Sequence, residues 1–357
     1  MKLWSKVNRI GLCMLLVCVM ALSVVGCSQK PKEPQKPAEQ PPASTPAPAP
    51  APAPAPKESL LRAAGGSTGG LYYVFTTAWS KLIESKVPGT KIQIEATGGS
   101  IANLRLLSEA TADIGLTSTV QYEIALNKTD WAKDADFTKL RALFPVYPSP
   151  ITIFSVKGKG IKSLNDLNGK IVCPGPKQAG GDIFLGRIMQ LYGIKPKSIV
   201  NANFSDLVQI LKDGQADVAI VEGGHPHSTA SELEQTHQVE YYEMSPEEVK
   251  KISETFPAYQ EIKLGEGLKY MKPGTRAVTT WSYAAVKMGF SEDLAYQITK
   301  LSWENQSDLL AAVAAAKDMK TENIEKLNIP LHPGAIKYYK EKGISVPDKL
   351  IPPEYKK

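Results

Sequence analysis

"LLRAAGGSTGGLYYVFTTAW", residues 60–79, reads as a short strand, a loop of small residues and a helix, in that order. The helix rests on spacing. Leu71, Val74, Phe75, Ala78, Trp79, Leu82 and Ile83 recur at the interval of one helical face, which predicts a buried stripe. "PGT" at 88–90 breaks it. "KIQIEA" (91–96) alternates as a second strand, "TGGS" (97–100) is a second small-residue loop, and "IANLRLLSE" (101–109) a second helix. "ADIGLTST" (112–119) predicts a third strand with a hydroxyl-rich end.

The same order returns further on. "GKIVC" (169–173) is a strand, "PGPKQAGG" (174–181) a loop and "DIFLGRIMQLYG" (182–193) a helix. "SDLVQILKDG" (205–214) is a helix, "ADVAIVEGG" (216–224) a strand, and "HPHS" starts the next loop. Strand, loop and helix in alternation predict an α/β fold. "LFPVYPSPITIFSV" (143–156) reads as a strand interrupted by prolines and crossing between two such groups, and "RAVTTWSYAAVK" (276–287) as a second crossing. "EDLAYQITKLSWENQSDLLAAVAAA" (292–316) reads as helical and returns the chain to the first group. The expected division is 58–150 plus 283–357 for one lobe and 151–282 for the other.

Ahead of this body the sequence changes character. Lys2, Lys6 and Arg9 precede an uncharged, mostly apolar stretch from Ile10 to Val25, shorter than the roughly 20 residues of a membrane-spanning helix. A signal peptide over 1–26 fits. It ends in Val24-Val25-Gly26-Cys27, which resembles the lipobox of bacterial lipoproteins and implies a diacylglyceryl thioether on Cys27. An ordinary signal peptide with an incidental cysteine is the plainer alternative. Residues 31–56 hold 11 prolines, with "PAPAPAPAPAP" at 46–56. This composition cannot bury a core, so 27–57 reads as an extended tether. Cys13 and Cys18 fall in the leader, which leaves Cys173 without an intramolecular disulfide partner in the processed chain. It reads as a core residue at a strand end rather than as a catalytic thiol. The net charge of +6 is too mild to argue for nucleic acid.

In an open α/β sheet, ligands bind beyond the carboxyl ends of the strands, where the 65–70 and 97–100 loops fall. Each heads a helix, whose first N–H groups are unpaired and carry partial positive charge. Glycine permits close approach of a ligand, and Ser67, Thr68 and Ser100 add hydroxyl donors. The site suits an anion, carboxylate or phosphate. "GGSTGG" lacks the lysine of a nucleotide-binding loop. Each loop taken alone is equally well an N-cap and a tight turn.

"GGSTGGLYY", "ATGGSIANLRLL", "ADIGLT", "YPSP", "SLNDLNGKIV", "VEGGHP" and "PLHPGAIKYYKEKG" follow one another in the order found in TAXI-type solute receptors, the extracytoplasmic binding proteins of TRAP transporters. The resemblance covers roughly 58–345. It implies a two-lobed, periplasmic-binding-protein-like fold of type II that closes on a small solute, glutamate-like or a dicarboxylate, and delivers it to TRAP membrane subunits. Carried over, the contacts are Ser67, Thr68, Gly69, Tyr72, Ser100, Asn103, Ser118, Thr119 and Tyr147 from the first lobe. The second lobe contributes Lys177, Gln178, Ala179, Gly180, Asp182 and Gly223. Two departures put glutamate in doubt. The turn at 178–182 lacks the hydroxyls frequent in relatives, and Val120 stands where they often carry an acid.

His225 and His227, two residues apart, make no metal site, and no cofactor is expected. His332 reads as fixing a turn. A hydrolase built on Ser67 lacks a G-x-S-x-G elbow and a base that can be placed. A sensor for a membrane kinase would use the same cleft and remains the rival binding function.

Overall fold

The computed structural model describes residues 59–355 apart from residues 69, 129 and 160. The leader, Cys27, the tether and Gly69 lie outside those residues. The described chain opens with β1 (Ser59–Gly66), α1 (Leu71–Lys86), β2 (Thr90–Ala96), α2 (Ser100–Ser108), β3 (Ile114–Ser118) and α3 (Thr119–Leu126), followed by a long β4 (Leu140–Val156). Next come β5 (Ile171–Cys173), α4 (Gly180–Tyr192), β6 (Ser198–Ile199), α5 (Phe204–Lys212), β7 (Val218–Glu222) and α6 (Ser228–Glu234). Then follow β8 (Val239–Tyr241), α7 (Pro246–Thr255), β9 (Gln260–Leu264) and a second long strand, β10 (Thr275–Lys287). The chain ends in α8 (Glu292–Glu304), α9 (Gln306–Ala312) and α10 (Pro333–Glu341).

The strand order is β2-β1-β3-β10-β4-β7-β5-β6, with β8 on β4 and β9 on β10. β1 is parallel to β2 and β3, and β5 is parallel to β6 and β7, as strand–helix–strand connections require. β10 runs antiparallel to β3 and β4. The two long strands serve both halves. β4 pairs with β10 through Pro150 and with β7 from Ile151 onward. β10 pairs with β9 through Thr279 and with β4 from there to Lys287. The architecture is α/β in two lobes, joined by this pair of strands.

Period-two alternation explains the second lobe's two cores. Ile151, Ile153, Val218 and Ile220 face the layer of Phe184 and Ile188 from α4. Phe154, Ala219 and Val221 face the opposite layer of Leu207, Leu211 and Leu233 from α5 and α6. Cys173 is a buried free thiol in that second layer. In the first lobe Trp79 is fully buried, packs edge-on to Phe144 with centroids 5.6 Å apart, and donates its indole N–H to Ser302 Oγ at 2.8 Å. That bond ties α1 to α8, so the chain's last segments complete the first lobe.

Two expectations are corrected. Val74 is exposed, because the buried face of α1 is turned toward Thr76 and Ser80; Phe75, Trp79, Leu82 and Ile83 carry its apolar packing. The prolines of 143–156 do not interrupt β4. Pro145, Pro148 and Pro150 all keep register partners on β10, while the pairing slips at Leu143 and Val146. The 292–316 run is helical, as expected, in successive pieces. Asn305 Nδ2 donates to Leu301 O at 2.9 Å and ends α8, while Gln306 Nε2 donates to Ala316 O and Met319 O, both at 2.7 Å. These bonds turn the chain into α9 and a 3₁₀ segment at Ala314–Asp318.

Candidate functional site

A cavity of about 810 Å³ lies between the lobes, at the carboxyl ends of β1, β3 and β7. Gly70, Gly99, Ser118, Ala179 and Asn203 line it. These are the N-cap residues of α1, α2, α3, α4 and α5, and none of them bonds its helix through a side chain. Away from the cavity, His227, Ser245, Ser291 and His332 cap α6, α7, α8 and α10 with their own side chains; α9 alone among those five has no such cap. First-turn N–H groups have no partner within a helix. Five helices therefore turn their uncapped starts toward one cavity, and their dipoles add there.

The glycine loops are held from below. Thr97 Oγ1 accepts from Gly66 N at 3.0 Å and Gly99 N at 3.2 Å, and donates to Asn103 Oδ1 at 2.5 Å. Asn103 Nδ2 donates to Leu116 O at 2.7 Å and Ala64 O at 3.2 Å. Asn103 thus sits beneath both loops, fully buried, and does not line the cavity. Ser67 lines it, with its hydroxyl donating to Thr97 O at 3.2 Å.

The floor is a chain of hydroxyls. Ser100 Oγ donates to Tyr72 OH at 3.1 Å, Tyr72 OH and Ser282 Oγ share a hydrogen bond of 3.0 Å, and Ser282 and Ser149 meet at 3.4 Å. Tyr147 lies beside Tyr72, with rings 6.1 Å apart. Burial pushes the Tyr72 phenol up to about 12 and holds Tyr147 well above the ordinary tyrosine range, so both remain protonated donors.

From the second lobe Lys177, Gln178, Ala179, Gly180 and Gly223 line the cavity. Asp182 does not. Its carboxylate turns onto the loop, accepting from Gln178 N at 2.9 Å and Asn201 Nδ2 at 3.0 Å and pairing with Lys177 at 3.1 Å. Asp182 therefore neutralises the loop's cation and lines the neighbouring cavity rather than this one. Thr68 is exposed and outside the lining. Thr119 is buried, its Oγ1 donating to Ala258 O at 3.3 Å and accepting from Trp281 N at 3.1 Å.

Several residues went unread in the sequence. Ser149, Ser282 and Arg105 line or floor the cavity. So does Glu222, at the carboxyl end of β7, where an acid closing an apolar strand was a legible signal. Glu222 accepts from Thr280 Oγ1, and burial pushes its carboxyl up to about 7 against the pull of Thr280 and Arg187. Past Lys177 and Gln178 a second cavity of about 980 Å³ opens. There Arg187 pairs with Glu123 at 2.9 Å and lies over the rings of Phe256 and Tyr259.

Among the described residues, no group of three or more metal-ligating side chains is gathered, and no helix is long and apolar enough to cross a membrane. His227 Nδ1 accepts from Thr229 N at 3.3 Å, and burial lowers this imidazole to about 4. His332 Nδ1 accepts from Gly334 N at 3.2 Å, the turn-fixing part expected of it.

The chain is similar to several solved structures. The periplasmic aliphatic sulphonate binding protein SsuA from Escherichia coli aligns at 14% identity over 83% of this chain and 96% of that one, with a TM-score of 0.44. A putative L-cystine ABC transporter protein from Listeria monocytogenes aligns at 16% identity over 73% and 98%, with a TM-score of 0.41. A structure from a study of glutathione import by GshT and TcyBC of Streptococcus mutans aligns at 14% over 74% and 96%, with a TM-score of 0.46. The profile of one family runs through both lobes, from β1 to the end of α10, matching residues 63–343. The chain belongs to the NMT1-like family.

Proposed function

We propose that this protein is an extracytoplasmic solute receptor, a binding protein rather than an enzyme. Its cleft captures a small organic anion, glutamate-like or a dicarboxylate, for delivery to the membrane subunits of a TRAP transporter. The observation that carries the anion is the convergence of five uncapped helix starts on one cavity floored by phenol and serine hydroxyls. The ordered motifs shared with TAXI receptors support the transporter class. The lobes are taken as 58–150 plus 283–357 and 151–282, with closure by bending where β4 and β10 cross. Ser67 donates to a backbone carbonyl rather than to a base, which argues against a hydrolase.

Calorimetry of the purified chain with glutamate, 2-oxoglutarate, succinate and a neutral sugar tests this. Binding of a carboxylate is expected, with a smaller radius in X-ray scattering. Sugar binding without response to any carboxylate would refute the anion. A hydrogen bond to a charged acceptor contributes roughly 1.5–3 kcal/mol, so Ser100→Ala is expected to weaken binding about tenfold or more, with Ser28→Ala on the tether as the reference.

The anchor is proposed on Cys27. Two acyl chains hold a protein on a bilayer where one does so marginally. Cys27→Ser is expected to abolish lipid labelling and release the chain from the membrane fraction. Retention of both would refute the lipobox.

A further inference from the structure

We infer that Glu222 couples the cleft to protons: a carboxylate-bearing ligand is captured together with one proton, which this side chain takes up from solvent. The inference rests on the anion reading above. Its ground is placement. Glu222 lines the cavity from the end of β7, and its carboxyl lies against the first residue of α4, where a Cβ on Gly180 would fall 1.2 Å from Oε2. A helix start that would otherwise greet the ligand's anion already faces a carboxyl belonging to the protein. A ligand carboxylate entering the same cavity meets a like charge, and two carboxylates sharing a desolvated site do not both stay ionised.

The groups around Glu222 show where the proton goes. Thr280, from β10, donates to it. Arg187, from α4, attracts it, but that guanidinium is paired with Glu123 of α3. Tyr72 of α1, Tyr147 of β4 and Tyr259, just ahead of β9, feel its charge and are themselves held protonated by burial. His227, at the head of α6, packs against the neighbouring Gly223 and stays neutral near pH 7. Glu222, at about 7, is poised to change state at neutral pH. The sign follows. Below this value the empty cleft already holds the proton and binding takes up none. Above it each bound carboxylate must draw one in, so affinity falls as pH rises.

The test is calorimetry of the full chain with 2-oxoglutarate, glutamate and succinate from pH 6 to 9, in buffers of differing ionisation heat. The wild type is expected to weaken roughly tenfold per pH unit above about pH 7, with one proton taken up. Glu222→Gln, which mimics the protonated side chain, is expected to be flat and to bind roughly tenfold more tightly than wild type at pH 8. The wild-type proton count stands even if the variant folds poorly. Carboxylate binding with a flat profile and no proton uptake overturns the role of Glu222 and leaves the anion reading intact. Binding that tightens with rising pH overturns it too, because an ionised Glu222 would then be meeting a cationic group. Absence of heat with all three carboxylates overturns both.

Discussion

Gly181→Ala is expected to lower the melting temperature of the folded body by about 5 °C, the effect of about 3 kcal/mol on a body of this size. The second residue of α4 sits where the helix start presses on the sheet. A Cβ there would stand 2.2 Å from Ile220 O and 2.6 Å from Pro174 O. Both obstacles are backbone, one in β7 and one at the end of β5, so neither can rotate aside as a side chain would. Relief requires α4 to lift from β7 and with it Phe184 and Ile188 from their core layer. Gly186→Ala is the internal comparison. It is exposed on the same helix, and nothing lies within 4 Å of its added methyl. Alanine there is expected to be neutral or to stabilise by up to about 1 kcal/mol. Equal melting temperatures for the two variants would refute the packing argument.

Asn103→Ala is expected to destabilise the chain by about 2–4 kcal/mol, because it strands three polar groups at once. Ala64 O and Leu116 O lose their donor in a buried setting, and Thr97 Oγ1 loses its acceptor in a half-buried one. The same change should weaken ligand binding although Asn103 does not line the cavity, since Thr97 would no longer be fixed under Gly66 and Gly99. Amide hydrogen exchange should rise in both glycine loops and stay unchanged in β7. Unaltered exchange at 65–70 and 97–100 would refute the hub.

Much of this was legible in the chain. The α/β alternation, the two crossing strands and the small-residue loops at helix heads follow from periodicity and punctuation, which are local signals. What escaped depends on partners distant in sequence. Asn103 is a contact by the resemblance, but its carbonyl partners are in β1 and β3. Asp182, a contact implied by the resemblance, is held by Asn201 and Lys177 at the neighbouring cavity. Val74 matched its helix's apolar pattern and yet has no element packed over it. Glu222 stands inside the VEGGHP motif, but its chemistry comes from burial, which only the assembled cavity confers. The strand at 112–119 ends at Ser118, and Thr119 opens α3, a boundary that β-branched residues on either side conceal.

The sharing of β10 between the lobes has a consequence for biogenesis. Ribosomes release a chain from its amino end. The second lobe's strands β5 to β8 form one uninterrupted stretch and can gather on β4 as they emerge, while β9 waits only for the Thr275–Thr279 start of β10. The first lobe cannot. Its β3 must wait for the Ser282–Val286 segment of β10, its Trp79 for Ser302, and its Ala142 for Leu331 and His332. The part made first is therefore completed last, and its apolar surface stays uncovered until nearly the whole polypeptide is out. A nascent chain exposed only through Trp281 should hold a structured second lobe, with β9 paired to the start of β10, beside an open, chaperone-dependent first one.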